Sequence, residues 1–82
     1  MFDYIKATMS SLYNEDIEMI TEELKENNLT YYNEAKDVKD HGEGAKMFIV
    51  HAKINTPQEL QMLVEKVAAG GIDMSFEFKC KK

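Results

Sequence analysis

The sequence predicts an α+β domain with two helices on one face of a four-stranded antiparallel sheet, in the order β-α-β-β-α-β. Three observations predict it. Residues 56–69 read as a fully punctuated helix, residues 72–80 alternate between apolar and polar side chains, and residues 45–55 hold a nearly continuous apolar run. At 82 residues the chain is one small domain with no linker, repeat or low-complexity run.

Each element has its own signal. In the first ten residues Ile5, Ala7 and Met9 alternate as a strand, while Phe2, Ile5, Met9 and Leu12 also fit helical spacing. The strand is favoured; the alternative, α-α-β-β-α-β with a helical N-terminus, leaves a three-stranded sheet. Asn14 is expected to cap a helix that gathers Ile17, Ile20 and Leu24 on one face, ending at Asn27 and Asn28. Residues 29–38 are tyrosine-rich and roughly alternating, with Leu29, Tyr31 and Ala35 on one side and Tyr32, Lys36 and Val38 on the other. Residues 39–44, KDHGEG, are a polar turn. The apolar run of residues 45–55 suggests a central strand with both faces at least partly covered.

Thr56, Pro57 and Glu59 place a hydroxyl cap, a fixed φ and a capping-box carboxylate at the start of the second helix. Leu60, Leu63, Val64 and Val67 share its inner face with Ala68 at the edge, and Met62, Glu65 and Lys66 point elsewhere. Gly70 and Gly71 are expected to end it in the left-handed conformation. The last strand then sets Ile72, Met74, Phe76, Phe78 and Cys80 against Asp73, Ser75, Glu77 and Lys79.

This order is the ferredoxin-like split βαβ pattern, and right-handed crossovers centre the first and third strands. Phe48, Val50, Ala52 and Ile54 then face the helices with Ile5, Ala7, Phe76 and Phe78. Tyr4, Tyr32, Met47, Ile49 and His51 fall on the open face, a partly apolar surface suited to a sheet-to-sheet homodimer.

Composition excludes several function classes. Fifteen acids against ten lysines leave a net charge of −5, and the chain has no arginine. Direct nucleic-acid binding needs a cationic surface and is served by the arginine fork, so it is not expected. The N-terminus lacks a signal-peptide pattern and no apolar run approaches a membrane span, so a soluble, cytoplasmic protein without a membrane partner is expected. A lone cysteine, Cys80, makes no internal disulfide and reads as a small hydrophobe at the strand end.

No catalytic, cofactor or metal motif stands out. Asp40, His41 and Glu43 are close in sequence, with His51 and Cys80 as conceivable additions, but their spacing matches neither a zinc nor a calcium signature. The glycines fit no phosphate loop. Glu15, Asp16, Glu18, Glu22, Glu23 and Glu26 are expected opposite the apolar stripe of the first helix, as an anionic face that fits a partner with a basic surface. The leading expectation is a non-enzymatic, homodimeric interaction module. The alternative is an acidic inhibitor, a nucleic-acid mimic such as a mobile genetic element encodes, blocking a nucleic-acid-processing enzyme. A third is a small-ligand sensor with a pocket around Tyr4, Tyr32 and His51.

Overall fold

The computed structural model describes residues 4–38, 42 and 44–79. Its elements are β1 (Tyr4–Ser11), α1 (Asn14–Glu26), β2 (Thr30–Asp37), β3 (Lys46–Ile54), α2 (Pro57–Ala69) and β4 (Asp73–Lys79). The strands form one antiparallel sheet in the order β2-β3-β1-β4, so β1 and β3 are central. The alternation of Ile5, Ala7 and Met9 thus prevails over the competing helical spacing, because a central β1 buries all three.

Register assigns the faces. Ile5, Ala7 and Met9 of β1 lie opposite Ile54, Ala52 and Val50 of β3 and opposite Phe78, Phe76 and Met74 of β4. Paired residues share a face. The first two trios meet Ile17, Ile20 and Leu24 of α1 and Leu63 of α2 in the core, with Leu29 and Ile72 at its ends. Burying each of the larger side chains, Ile, Leu, Val or Met, contributes roughly 1.5–3 kcal/mol.

Phe76 and Phe78 sit on the helix face by register, as expected, yet they are 48% and 58% exposed. β4 is an edge strand; the buried core ends at Ile72, just before it, and of its residues Met74 packs partly buried against that core. The two rings meet edge to face at 5.9 Å.

The helix ends depart from expectation in two places, the start of α1 and the end of α2. Asn14 is not the cap of α1: Tyr13 occupies that position without a side-chain bond, and the Asn14 amide donates to Glu18 at 2.9 Å. Ser11 organises the junction instead. Its buried hydroxyl accepts from the Tyr13 N–H at 3.0 Å and donates to Asp16 at 2.8 Å. At the far end Asn28 has φ 56°, and the N–H groups of Asn28 and Leu29 bond the carbonyls of Lys25 and Leu24, a Schellman closure.

In α2 the capping box of Thr56 and Glu59 forms in both directions. Its inner face is shifted from the expected one: Val64 is 41% exposed, and Met62 packs against the core with Leu60 and Val67. Met62 lies on the side of α1, where its sulfur meets the Asn27 amide at 3.3 Å. Gly70 closes α2 with an extended backbone, φ −120°, ψ −178°, rather than a left-handed one. The glycines with positive φ are Gly42 and Gly44, in the turn before β3. Asp40, His41, Glu43 and Cys80, weighed above as metal ligands or a thiol, lie outside the described residues, as does Phe2.

Candidate functional site

The site candidate lies on the sheet face away from the helices. There β1 presents Tyr4, Lys6, Thr8 and Ser10, and β3 presents Met47, Ile49, His51 and Lys53; β2 adds Thr30, Tyr32, Glu34 and Lys36. Tyr4, Tyr32, Met47, Ile49 and His51 therefore share this face. They are not equally available. Tyr32 is 59% exposed, Tyr4, Met47 and His51 are half-buried, and Ile49 is only 9% exposed.

His51 is the best-anchored of these side chains. Its Nε2 lies 2.9 Å from a Glu34 carboxylate oxygen, its Nδ1 lies 3.5 Å from the Thr8 hydroxyl, and the Tyr32 ring stacks on it at 4.5 Å. An ionised carboxylate only accepts, so Nε2 carries the proton, and in the neutral ring Nδ1 accepts from Thr8. The His51 hydrogen bond is the largest cause holding the Glu34 carboxyl below its ordinary value, with Lys36 assisting and burial opposing.

The line Thr8, His51, Glu34 has the residue types of a hydroxyl, base and orienting acid. Its geometry fixes the ring rather than activating the hydroxyl. The Thr8 contact is at the outer limit of a hydrogen bond, and Thr8 and His51 sit mid-strand, where sheet ladders occupy backbone donors that could hold an oxyanion.

Beside this cluster a groove of about 440 Å³ opens, lined by Tyr4, Lys6, Tyr32, His51, Lys53 and Lys79 among others. No carboxylate lines it among the described residues. The Lys53 ammonium stands 4.8 Å from the centre of the Tyr4 ring, and Lys79 pairs with Glu77 at 3.2 Å. A chain of net charge −5 thus has a cationic, aromatic groove near the middle of its sheet.

The acids of α1 divide into two groups. Glu15, Glu18, Glu22 and Glu26 are exposed, whereas Asp16 and Glu23 are half-buried at the flanks of the helix. At 3.6 residues per turn those two positions stand beside the Ile17, Ile20, Leu24 stripe rather than opposite it. Asp16 is also engaged by Ser11. The anionic surface therefore rests on four residues. Among the described residues no three His, Cys, Asp or Glu groups converge as a metal site, and no helix is long and apolar enough to cross a membrane.

Sequence reasoning missed Lys6, Thr8, Glu34 and Lys53. The pairing that joins β1 to β3 and β2 to β3 assembles them, and sequence spacing within one strand cannot reveal it. Read as a register, however, the odd positions of residues 47–53 would have put Lys53 beside His51.

No protein-family model matches the chain, and no curated protein matches it. Solved structures do. A prephenate dehydratase from Streptococcus mutans superposes with a TM-score of 0.68 at 13% identity, over 90% of this chain and 41% of that one. A functionally unknown protein from Pediococcus pentosaceus gives a TM-score of 0.70 at 7% identity, covering 98% and 96% of the two chains. A formyltetrahydrofolate deformylase from Pseudomonas putida gives 0.57 at 17%, over 90% and 28%. The chain spans about two fifths of the dehydratase and less than a third of the deformylase. These likenesses define a fold class: a ferredoxin-like, ACT-like βαββαβ domain.

Proposed function

We propose that this chain is a non-enzymatic ligand-sensing module that binds a small molecule in the open-face groove and works as a pair of copies meeting over that face. The observation that carries this reading is the groove itself. It joins an aromatic wall, Tyr4 and Tyr32, to a fixed imidazole and the ammonium groups of Lys6, Lys53 and Lys79, the mixture of apolar surface and a few polar anchors common to ligand sites. ACT-like domains are often regulatory, ligand-binding and dimerising, which supports the same reading by analogy. On one copy the groove is open to solvent, and a second copy laid over the sheet would enclose it. Ligand occupancy and pairing are then linked.

A thermal-shift screen of metabolites on wild type and Tyr32→Ala tests this. A ligand in the groove raises the wild-type melting temperature with a saturable dose dependence and raises that of the variant less. A screen that stays flat while control proteins respond contradicts it.

The exposed row of Glu15, Glu18, Glu22 and Glu26 keeps a second reading in play, the acidic inhibitor of a nucleic-acid-processing enzyme. Because α1 and the open sheet face lie on opposite sides of the domain, the two readings separate cleanly. Charge reversal at Glu18, Glu22 and Glu26 abolishes binding to a basic partner in this reading and leaves the groove untouched.

A further inference from the structure

Lys6 and Lys53 are direct cross-strand partners on the open face, on the two central strands of the sheet. Like charges placed directly opposite each other destabilise a sheet, and neighbouring side chains here stand about 5 Å apart at Cβ. The usual remedy is an adjacent carboxylate. Lys79 has one in Glu77, and Lys36 has Glu34 at 3.7 Å. Among the described residues neither Lys6 nor Lys53 has a carboxylate within ion-pairing distance. Glu77 lies opposite Lys6 in the β4 register, but its carboxylate is turned to Lys79. Lys53 instead rests its ammonium on the Tyr4 ring, which draws it toward the groove.

Lys6 and Lys53, which no carboxylate pairs among the described residues, both line a groove that also has an exposed flat ring, Tyr32, stacked on His51. The geometry points to a small organic anion as the ligand of this groove, its carboxylate or phosphate head between Lys6 and Lys53 and its planar body against Tyr32. This rests on the ligand-sensing reading for the location of the site and adds the chemistry of what fills it. Charge complementarity selects the occupant: in an acidic chain, an anion is attracted here and repelled by α1. The anion also relieves the Lys6–Lys53 repulsion, and it offsets the repulsion between two such faces when copies meet. Occupancy therefore favours pairing.

The test titrates benzoate, phenyl phosphate and the neutral isostere benzamide into labelled full chain, following backbone amide shifts by two-dimensional NMR into the millimolar range. Benzoate and phenyl phosphate are expected to give saturable shifts centred on Lys6, Tyr32, His51 and Lys53. Benzamide should bind about tenfold more weakly or worse, since it lacks the charge-assisted bonds. Lys6→Gln with Lys53→Gln should weaken benzoate by at least about tenfold, leave benzamide unchanged, and remove the salt dependence of binding. Single Lys53→Gln serves if the double variant fails to fold. Equal binding of benzoate and benzamide in the groove overturns the anion while keeping the ligand-sensing reading. Shifts spread without saturation over remote lysines such as Lys25 and Lys66 overturn the anion site. No saturable shift on the open face with any probe overturns both.

Discussion

Tyr32 of β2 and His51 of β3 are cross-strand partners whose rings stack 4.5 Å apart and within 17° of parallel. With Nε2 tied to Glu34, the imidazole is held from two directions, while Tyr32 remains 59% exposed. An aromatic pair adds about 0.5–1.5 kcal/mol beyond its buried area. Tyr32→Ala should therefore cost about 1 kcal/mol in urea denaturation and leave the fold intact. A loss above about 3 kcal/mol would place Tyr32 among core residues instead.

Glu34 carries a pH dependence. Its carboxyl is held below the ordinary value, first by the hydrogen bond from His51. A carboxylate with a lowered folded value stabilises the fold above its unfolded value, about 4.3 for glutamate, and loses that contribution as pH falls through the folded value. Thermal melts of wild type and Glu34→Gln from neutral to acid pH should show a wild-type advantage that closes at the acid end. A gap that stays constant or widens in acid would count against the His51–Glu34 bond.

Leu63 and Val64 are neighbours with opposite surroundings, one fully buried and the other 41% exposed. Leu63→Ala should cost about 2–5 kcal/mol, because the void opens against the sheet. Val64→Ala should stay within about 0.5 kcal/mol, since alanine is the better helix former and little packing is lost. Paired denaturation curves decide this, and comparable losses at both sites would mean that α2 is rotated from its described position.

The capping box at the start of α2 is open to a direct check. Thr56 Oγ1 accepts from the Glu59 N–H at 3.2 Å, and the Glu59 carboxylate takes the Thr56 N–H at 3.0 Å. Thr56→Ala should cost about 1 kcal/mol, and Thr56→Ser should restore most of it. If serine fails to rescue, the loss comes from the methyl group and not from the hydroxyl.

The elements were legible where local chemistry names them. Thr56, Pro57 and Glu59 announce α2, and the alternation through Ile5, Ala7 and Met9 is the burial pattern of β1. What stayed hidden depends on contacts between elements. Val64 and Met62 flank the same stripe, and only the presence of α1 on one side decides which is covered. Phe76 and Phe78 alternate like core residues but lie on an edge strand that the buried core leaves uncovered. Ser11 displaced Asn14 at the first helix junction because it is buried beside Asp16. For the candidate site, Tyr4, Tyr32 and His51 were readable from strand parity, whereas the lysine pair needed the β1–β3 register.

Light scattering during size-exclusion chromatography, over a concentration series of wild type, Tyr32→Asp and Glu18→Lys, bears most directly on whether the open sheet face is the working surface. Tyr32 is chosen over its open-face neighbour Ile49 because Ile49 is only 9% exposed, and a buried aspartate there would cost the fold as well as the interface. The open-face reading requires a wild-type dimer, a folded monomer for Tyr32→Asp, and a dimer for Glu18→Lys, which changes only the opposite layer. A wild-type monomer at every concentration, or a dimer that Tyr32→Asp leaves intact, would move the working surface away from Tyr32, His51 and the groove beside them.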